Sequence, residues 1–435
     1  MARVLVATTP GDGHVNGMIQ AVRALARAGH DVHWYTGRAF ADKVERAGAT
    51  FEPMRRAYDW GGQSREEAFP SHAGLTGVVS MAAAFRDIFI GTAHEQMLDI
   101  LQLIDRFPAE VVVTGETMYG AGFAAELRNL PTAWVATSVY VFGSRDTAPL
   151  GLGLPPSATP LGRLRNRALR AVSGHLLPPL REIRHRADLA RRRAGLTPLD
   201  RGPFENIVRH PDLYLMGTVP SFEYPRSDML PQTHFVGPFT SSAPARFDAP
   251  DWWPEMVEGR PVIHVTQGTV AHDAERLLRP TIEGLAEEDA LVVVTTGTQQ
   301  NAAELGSLPA NVRTAPFIPH SALLPHVTVM VTNGGYGGVN TALSHGVPLV
   351  VVPASEEKHE VAARVEWSGV GLAVRRRRAG ADQIAAAVRR VLREPSYGLR
   401  ARQLRDEYRR HDAPSRAVEL ITGLIEDHAA RRVGG

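Results

Sequence analysis

The stretch that decides the fold is Val327–Gly338, which reads VTVMVTNGGYGG. Its first five residues form a short apolar run rich in β-branched side chains, which is typical of a buried strand. The clustered glycines allow the backbone to turn and to approach a ligand closely. Val339–His345 can then form a helix whose N-terminus offers free N–H groups and a positive dipole end. The pattern therefore predicts a strand, a turn and a helix that together receive a phosphate group.

A second unit of the same kind lies near the first residue of the chain. Val4–Thr8 is a strand-like run, and Gly11–His14 (GDGH) follows it directly. Strand and helix patterns then alternate, which is typical of a parallel, doubly wound α/β sheet. The alternation is interrupted by the proline-rich segment Pro231–Pro254 and restarts at Val262. Because 435 residues are too many for one ordinary core, we predict two α/β domains that face one cleft.

The boundaries of these domains follow from the same alternation. We expect an N-terminal domain over residues 1–218, a linker region over 219–250, a C-terminal domain over 251–412 and a final helix over 413–435. The predicted strands are Val4–Thr8, Val32–Thr36, Ala109–Thr114 and Pro131–Ala136 in the first half, and Val262–Thr266, Leu291–Thr295, Val312–Pro316, Val327–Val331 and Leu349–Val352 in the second.

Composition excludes several classes of protein. The chain has no cysteine, so it forms no disulfide, thiolate metal site or cysteine nucleophile. No apolar run is long enough to span a membrane, and Arg3 precedes only a short apolar stretch, unlike a signal peptide. The formal net charge is +2, and the basic stretch Arg181–Arg193, including Arg191, is interpreted as the solvent-exposed face of a helix. We therefore predict a cytoplasmic monomer or homodimer without nucleic-acid or membrane partners.

Several short motifs in a fixed order resemble those of a known family. They are Thr9–Asn16 (TPGDGHVN), Val265–Thr269 (VTQGT), Pro316–His320 (PFIPH), Thr332–Gly338 (TNGGYGG), Gly346–Pro348 (GVP) and the downstream pair Glu356-Glu357. Together they resemble the family 1 nucleotide-sugar glycosyltransferases, in particular the bacterial enzymes that glycosylate antibiotics and other natural products. The resemblance covers nearly the whole chain. It implies the GT-B fold, in which two Rossmann-like domains face a cleft and the last helix, near 414–428, crosses back to the N-terminal domain.

The resemblance implies that His14 is the general base of an inverting sugar transfer. His14 follows the first strand, where open α/β sheets place their sites, and imidazole has a suitable pKa for removing a proton near neutrality. Relatives pair this histidine with an aspartate, and the matching segment Val113–Thr117 (VTGET) makes Glu116 the candidate partner. Alternatively, His14 caps the following helix, and Glu116 lines the acceptor pocket or lies in a solvated loop.

The resemblance also implies a site for a UDP- or dTDP-sugar in the second half, with no further cofactor. In that site the glycine turns at 268–269 and 334–338 supply contacts to the diphosphate or sugar. The segment that contains Phe317 and His320 recognises the pyrimidine base. Asn333 replaces a histidine that binds phosphate in many relatives. The implied donor-binding residues are Gly268, Thr269, Phe317, Ile318, His320, Asn333, Gly334, Gly335, Gly337, Gly338, Glu357 and Lys358. Alternatively, Phe317 packs in the core, and His320 is a histidine at the start of a helix without a role in donor binding.

The sequence contains no Asp-x-Asp triplet and no cluster with metal-ligand spacing. The leaving-group charge would then be stabilised by a helix dipole and N–H donors. This expectation agrees with the metal-independent reaction that the resemblance implies. Glu357 and Lys358 stand where relatives that use glucose carry aspartate and glutamine, whose side chains bind sugar hydroxyls.

The acceptor is expected to be a small-molecule aglycone, bulky and largely apolar, such as a polyketide, macrolide or phenolic. The expectation rests on two long insertions, one holding aromatic residues among glycines and the other rich in glycine and proline. The candidate acceptor-binding residues are Trp60, Phe69, His72, Phe85 and Tyr140. Surface loops with local packing are the alternative interpretation of both insertions.

Three other functions remain open from the sequence. One is a nucleotide-sugar epimerase on the same two-domain architecture, although its usual acidic catalytic cluster is not evident. Gly11, Gly13 and Gly17 follow the first strand in a spacing near the dinucleotide fingerprint, which would suit an NADP-dependent oxidoreductase with Arg38 on the 2′-phosphate. Two observations argue against an oxidoreductase. Asn16 occupies the position of the third glycine of the fingerprint, and the glycine turn at 333–338 would have no role. A non-catalytic sugar-nucleotide-binding protein is the third alternative, and a histidine at the acceptor side argues against it.

Overall fold

The computed structural model describes residues 1–240, 247–268, 274–297, 305–353, 356–375 and 379–433. Thr269 of the predicted donor site lies outside these residues, as do the side chains of 174–176, 356, 357 and 433. Within the described residues, the chain forms two parallel sheets flanked by helices. The predicted α/β class with two doubly wound domains is therefore confirmed.

The first sheet has seven parallel strands in the order β3-β2-β1-β4-β5-β6-β7. They are β1 (Arg3–Ala7), β2 (Asp31–Thr36), β3 (Thr50–Pro53), β4 (Val111–Thr114), β5 (Thr132–Val135), β6 (Leu213–Met216) and β7 (Thr233–Phe235). The central strands β1 and β4 are buried along nearly their whole length, because helices cover both faces of a parallel sheet. The strand order reverses between β1 and β4, which leaves a crevice at their carboxyl ends.

The helices of the first half pack on both faces of this sheet. They are α1 (Asp12–Arg27), α2 (Ala41–Arg46), α3 (Arg65–Ala68), α4 (Gly77–Ala83), α5 (Ala93–Arg106), α6 (Tyr119–Arg128), α7 (Pro160–Leu176) and α8 (Pro178–Arg193), with a π-helical segment at Ala84–Ile90. α1 buries Val15, Met18 and Val22 on one side, at the three- and four-residue spacing of a helix face. That packing fixes the direction of its first turn, which carries His14.

The second sheet has six parallel strands in the order β10-β9-β8-β11-β12-β13. They are β8 (Val262–Thr266), β9 (Leu291–Thr295), β10 (Val312–Ala315), β11 (Val329–Thr332), β12 (Leu349–Val351) and β13 (Gly371–Ala373). In the described part of this half, the helices are α9 (Leu278–Gly284), α10 (His320–Leu323), α11 (Tyr336–Ser344), α12 (Glu356–Trp367), α13 (Ala381–Arg393) and α14 (Pro395–Tyr408). The strand order reverses between β8 and β11. The second crevice therefore lies at the carboxyl ends of these strands, where the glycine turn follows β11.

The first domain extends further along the chain than the sequence indicated. β7 (Thr233–Phe235) pairs with β6 as the last strand of the first sheet, although it lies inside the region predicted as linker. The boundary at residue 218 was therefore wrong by at least seventeen residues, the distance from 218 to Phe235. A strand of three half-buried residues is too short to show a hydrophobic period.

One residue of the basic stretch is not on a solvated surface. Arg191 of α8 has a side chain that is 0% exposed and forms two hydrogen bonds to the Glu126 carboxylate, of 3.0 and 2.9 Å. It also donates to the carbonyl oxygens of Thr197 and Ile207, at 2.6 and 3.2 Å. The interpretation of Arg191 as solvent-exposed was wrong, because a buried guanidinium needs several acceptors and sequence spacing does not reveal them.

The final helix α15 (Ala413–Val433) lies against the first sheet's layer of helices. Ala417, Ile421 and Ile425 share a buried core with residues of β1 and α1, and Thr422 Oγ1 lies 3.3 Å from His30 Nε2. The end of the chain therefore packs on the N-terminal domain, which is where the resemblance places it. In the part of the chain that the structure describes, no helix has the length and apolar character to cross a membrane.

A buried charge cluster joins the two halves of the chain. Arg364 of α12 donates to Glu223, with a shortest distance of 2.7 Å, and to Glu360 at 3.1 Å, and all three side chains are almost inaccessible to solvent. Glu360 also accepts hydrogen bonds of 2.7 and 2.9 Å from the backbone N–H groups of Gly151 and Gly153. The cluster thus fixes a loop of the first half against a helix of the second.

Candidate active site

The crevice of the first sheet contains the proposed base. His14 lies in the first turn of α1, three residues after its N-cap Gly11. β1 and β4 pair in register at Ala7 and Thr114, so the loops that follow them meet beside His14. The imidazole is partly exposed, and burial lowers the pKa of His14 from 6.5 to about 4. The ring is therefore neutral near pH 7, which is the form that accepts a proton.

The loop after β4 presents a hydroxyl to His14 rather than a carboxylate. Thr117 Oγ1 lies 3.5 Å from His14 Nδ1. The same hydroxyl oxygen lies 3.1 Å from Oγ1 of Thr9, which belongs to the loop after β1. The three side chains thus form a short chain across the carboxyl ends of two neighbouring strands.

Glu116 does not bind His14, contrary to the pairing predicted from the sequence. Its carboxylate is turned into the sheet and accepts hydrogen bonds from Thr137 N–H and Oγ1, at 3.2 and 3.1 Å, and from the Tyr214 hydroxyl at 3.3 Å. Burial raises the pKa of Glu116, and hydrogen bonds to the carboxylate oppose that effect. The adjacent residue, Thr117, occupies the position beside the imidazole.

Aromatic side chains from the first insertion surround His14. A methyl group added at Gly11 would lie 3.1 Å from the Trp60 indole and 3.5 Å from the His14 ring, so both rings border the same small space. Phe89 meets His14 edge to face at a centroid distance of 6.3 Å. Phe69 packs against Trp60 at 6.4 Å, and Phe85 packs against Phe89 at 5.5 Å. The structure thus brings Trp60, Phe69 and Phe85 into one aromatic wall beside His14.

The other two candidate acceptor residues have structural roles. The His72 side chain is 0% exposed; its Nδ1 accepts a 2.9 Å hydrogen bond from Arg65 Nε, so Nε2 carries the proton and donates to Asp87 at 2.9 Å. Tyr140 is 2% exposed, and its hydroxyl accepts from the Leu230 N–H at 3.1 Å. Because their polar atoms are already bonded inside the protein, neither His72 nor Tyr140 offers a free polar atom to an acceptor, and their acceptor contact stays a prediction.

The crevice of the second sheet contains an open helix N-terminus. The first hydrogen bond of α11 runs from Val339 N–H to the Gly335 carbonyl, at 3.0 Å, which leaves the N–H groups of residues 336–338 without helical acceptors. Gly337 is exposed, and a side chain added there would meet no protein atom within 4 Å. The helix begins three residues earlier than predicted, so Gly337 and Gly338 lie in its first turn and Gly335 is its N-cap.

Gly334 and Asn333 hold this turn in place. Gly334 has a φ of +86°, and a Cβ there would lie 2.8 Å from Val351 Cγ1, so only glycine fits. Asn333 is buried, and its side-chain amide donates to the carbonyl of Gln267 and accepts from the Gly335 N–H at 3.3 Å. Asn333 therefore connects the β11 turn to the turn that holds Gly268, rather than extending freely toward a phosphate.

The segment after β10 offers one exposed ring. Phe317 is 69% exposed, so core packing does not explain it. Ile318, in contrast, is 2% exposed within the core, so its side chain is not available to a ligand and only its backbone is. His320 begins α10 and meets His264 edge to face at 5.7 Å. Burial lowers the pKa of His320, with a smaller contribution from His345.

Comparison with known proteins identifies the family. The 4'-demethylrebeccamycin synthase of Lentzea aerocolonigenes is 61% identical over 424 residues, which cover 98% of this chain and 100% of that protein. The chain belongs to the family 1 glycosyltransferases. In agreement, residues 279–424 of this glycosyltransferase match the model of the C-terminal domain of proteins like erythromycin biosynthesis protein CIII.

Solved structures show that this glycosyltransferase has the GT-B fold. The glycosyltransferase of kitacinnamycin superimposes with a TM-score of 0.74 at 23% identity, covering 98% of this chain and 99% of that one. The glycosyltransferase VinC, solved in complex with dTDP, superimposes with a TM-score of 0.70 at 22% identity, covering 98% and 100%. At these identities the comparison concerns the fold, and it confirms the architecture expected from the motifs.

Two further residues predicted to bind the donor, Lys358 and Glu357, belong to α12 of the glycosyltransferase. The Cβ and carbonyl oxygen of Lys358 lie 3.5 and 3.4 Å from the position of a Cβ at Gly334, so α12 begins beside the glycine turn. Glu357 precedes it on the same helix, with its side chain outside the described atoms. Among the described residues, no group of three or more His, Asp or Glu side chains could hold a metal ion.

Sequence reasoning missed Thr9, Thr117 and Phe89, which the structure places in or next to the candidate site around His14. Thr117 follows the predicted Glu116 directly, but the direction of a side chain in a loop depends on backbone angles that motif spacing does not give. Thr9 lies within the first motif, and Phe89 lies in an aromatic insertion, so the segments were recognisable even though the individual roles were not.

Proposed function

We propose that this glycosyltransferase moves a sugar from a UDP- or dTDP-sugar to a hydroxyl of a bulky natural-product aglycone, with His14 as general base and inversion at the anomeric carbon. The observation that carries the proposal is a pair of sites. A neutral imidazole lies at the strand-order reversal of one sheet, and an open helix N-terminus lies at the reversal of the other. The first suits removal of an acceptor proton, and the second suits binding of a diphosphate.

The leaving group is best accommodated at α11. The N–H groups of residues 336–338 and the positive end of the helix dipole can stabilise the charge that develops on the departing diphosphate. Phe317 follows β10, and β10 lies three strand positions from β11 in the sheet. At the usual spacing of neighbouring strands, these two strands are about 14 Å apart. That separation suits a nucleoside diphosphate that stacks its base on Phe317 and directs its phosphates toward α11.

The acceptor side favours an apolar aglycone. Trp60, Phe69, Phe85 and Phe89 form a wall around His14 that binds flat or bulky apolar surface. A relative that is 61% identical is named for making 4'-demethylrebeccamycin. Both observations support a natural-product acceptor. They give no support to the NADP-dependent oxidoreductase. That function would need the first glycine turn to bind a dinucleotide, whereas the turn is bordered by His14 and the aromatic wall.

Inversion follows from the proposed arrangement. The acceptor oxygen attacks the anomeric carbon from the side of His14 while the nucleoside diphosphate departs toward α11. A retaining route through a protein nucleophile would need a carboxylate beside the sugar. Near His14 the candidate, Glu116, is instead bonded to Thr137 and Tyr214 inside the sheet.

The substitution Gly337→Asp tests the donor site. A carboxylate at this exposed position in the first turn of α11 interacts favourably with the positive end of the helix dipole. The melting temperature of the variant should therefore stay the same or rise. The same charge repels a diphosphate, so the affinity for UDP and dTDP should fall by at least about tenfold, or about 1.4 kcal/mol. Thermal unfolding and titration calorimetry measure the two effects separately.

Gly423→Asp is the matched control for this prediction. Gly423 also lies in a helix, α15, and has no protein atom within 4 Å of an added Cβ. The control should leave nucleotide affinity unchanged. Equal affinity of the Gly337→Asp variant and the wild type would show that the diphosphate does not bind at α11.

The pH dependence of transfer tests the role of His14. Because burial lowers the pKa of His14 to about 4, the base remains neutral and active as the pH falls through 6.5, the ordinary value for histidine. Protonation removes the base only as the pH approaches 4. We expect the acid limb of kcat/KM to lie nearer 4 than 6.5, and an acid limb centred at 6.5 would contradict this environment.

A further inference from the structure

The side chain that contacts the inner nitrogen of His14 is a neutral hydroxyl. Thr117 Oγ1 lies 3.5 Å from Nδ1, a distance that allows a hydrogen bond to tighten when substrate binds. Thr9 Oγ1 lies 3.1 Å beyond Thr117 and can accept its hydroxyl proton. Thr9 is 3% exposed, so this chain of hydroxyls extends from the cleft into the protein interior.

The carboxylates in the surrounding loops are directed elsewhere. Glu116 is bonded to Thr137 and Tyr214, Asp12 lies 2.8 Å from Lys43 Nζ, and Asp87 accepts from His72 and Arg86. Among the described residues, burial is the cause that shifts the pKa of His14, and no charged neighbour contributes. Within the described ranges, the imidazole therefore has a hydroxyl as hydrogen-bond partner and no charged side chain bonded to it.

We propose that Thr117, supported by Thr9, is the positioning residue for His14, and that this neutral arrangement restricts transfer to acceptors with an acidic hydroxyl, such as a phenol. The inference rests on the proposed function and adds to it the chemical class of the attacking group.

The positioning role follows from the two ring nitrogens. In the proposed arrangement, Nδ1–H donates to Thr117 Oγ1 at 3.5 Å, and the Thr117 hydroxyl donates to Thr9 Oγ1 at 3.1 Å. This order leaves the lone pair on Nε2, the nitrogen for which no hydrogen bond is found among the described residues. The opposite order would place the proton on Nε2, and the base could not act. In the proposed arrangement Thr117 would hold His14 in the catalytic tautomer without touching the acceptor itself.

The restriction follows from the charge that the reaction creates. The acceptor proton moves to His14 Nε2, the acceptor oxygen bonds to the anomeric carbon, and the bond from that carbon to the diphosphate oxygen breaks, with its electron pair leaving on the diphosphate. His14 becomes an imidazolium that a carboxylate partner would stabilise and a hydroxyl stabilises far less. A phenol, whose pKa is near 10, gives up its proton much more readily than an aliphatic alcohol. The rate should therefore depend steeply on the acidity of the acceptor.

The positioning role is tested by NMR of the histidine-labelled full chain, which needs no acceptor. The 15N shifts of His14, assigned by their loss in His14→Gln, should show Nδ1–H and a bare Nε2 in the wild type. Thr117→Ser, which keeps the hydroxyl, should retain this tautomer. Thr117→Val, which keeps the shape, should lose it or mix the two forms. An unchanged tautomer in Thr117→Val, or Nε2–H in the wild type, would overturn the proposal.

The acceptor class is tested with 4-nitrophenol, phenol and benzyl alcohol as probes and UDP-glucose and a dTDP-hexose as donors. We expect transfer to the phenols, fastest to 4-nitrophenol, and none to benzyl alcohol. Thr117→Val should lower kcat about 10- to 100-fold with little change in the KM of the donor, and Thr117→Ser should recover most of kcat. A comparable kcat on benzyl alcohol, or no transfer to 4-nitrophenol by a chain that binds the nucleotide, counts against the acceptor class.

Different results would contradict the proposed function and the acceptor restriction. If UDP and dTDP do not bind at all, the proposed function fails, whatever the tautomer. If they bind and transfer proceeds on alcohols and phenols alike, the proposed function stands and the acceptor restriction fails. The NMR result decides the role of Thr117 in either case.

Discussion

His14→Ala should lower kcat for sugar transfer by about 100- to 10,000-fold, the range that a general base contributes. The imidazole is neutral, partly exposed and bordered by Trp60 and Phe89, so its removal leaves the acceptor without a group to take its proton. Affinity for UDP or dTDP should not change, because the proposed diphosphate site is in the other domain. Steady-state kinetics and titration calorimetry on the same preparation measure both quantities.

The control for this prediction is His185→Ala. His185 is exposed on α8, so its loss removes an imidazole without affecting either crevice. The melting temperature of His14→Ala should also stay close to that of the wild type, because the 3.5 Å contact with Thr117 is the side-chain hydrogen bond that His14 makes among the described residues. If His14→Ala keeps more than about a tenth of kcat, His14 is not the general base and is better explained as a residue of the helix start.

Arg364→Met should destabilise the protein by about 3–5 kcal/mol, the usual effect of removing one partner from a buried ion pair. Arg364 is 1% exposed and donates to Glu223 and Glu360, which are also buried. Its ring contact with Tyr224, at 4.2 Å, is lost as well. For a domain of this size the melting temperature should fall by roughly 10 °C, as measured by calorimetric unfolding.

Transfer should weaken along with stability in this variant. Glu360 accepts from Gly151 and Gly153 in the first half and from Arg364 in the second, so the cluster maintains contact between the two halves. Arg390→Met is the control, because the Arg390–Glu394 pair is exposed and such pairs contribute little. Glu223 keeps the buried Arg226 as an ion partner at 3.0 Å, whereas Arg364 is the cation that pairs with Glu360 among the described residues. The double variant Glu360→Gln/Arg364→Met should therefore be more stable than Arg364→Met alone, because it removes the carboxylate left without a cation. Equal melting temperatures for Arg364→Met and Arg390→Met would contradict a stabilising role for the cluster.

Strands were predictable from sequence where the apolar run was long and continuous. Val262–Thr266 and Leu291–Thr295 were predicted with the bounds that the structure shows, because such strands are buried on both faces and contain β-branched residues. β3, β6, β7 and β13 were missed, and each has only three or four residues. A strand of that length is defined by its partner, which is distant in the sequence.

The site was predictable as a set of loops but not as a set of contacts. The glycine motifs located both crevices, because a turn after a strand determines where the N-terminus of the next helix points. They did not show that Glu116 turns inward while Thr117 meets His14, or that Asn333 binds the neighbouring turn. The burial of His72, Tyr140 and Arg191 was also beyond the sequence, since all three are side chains that often lie at surfaces.

The central claim is that α11 receives a pyrimidine nucleoside diphosphate. The most direct measurement is titration calorimetry of the purified chain, in EDTA, with UDP, dTDP and NADP⁺, repeated on Gly337→Asp. The account predicts that UDP or dTDP binds the wild type without added metal, that Gly337→Asp binds it at least about tenfold more weakly, and that NADP⁺ does not bind. Binding of NADP⁺ alone, or nucleotide affinity that is the same in both proteins, would contradict it.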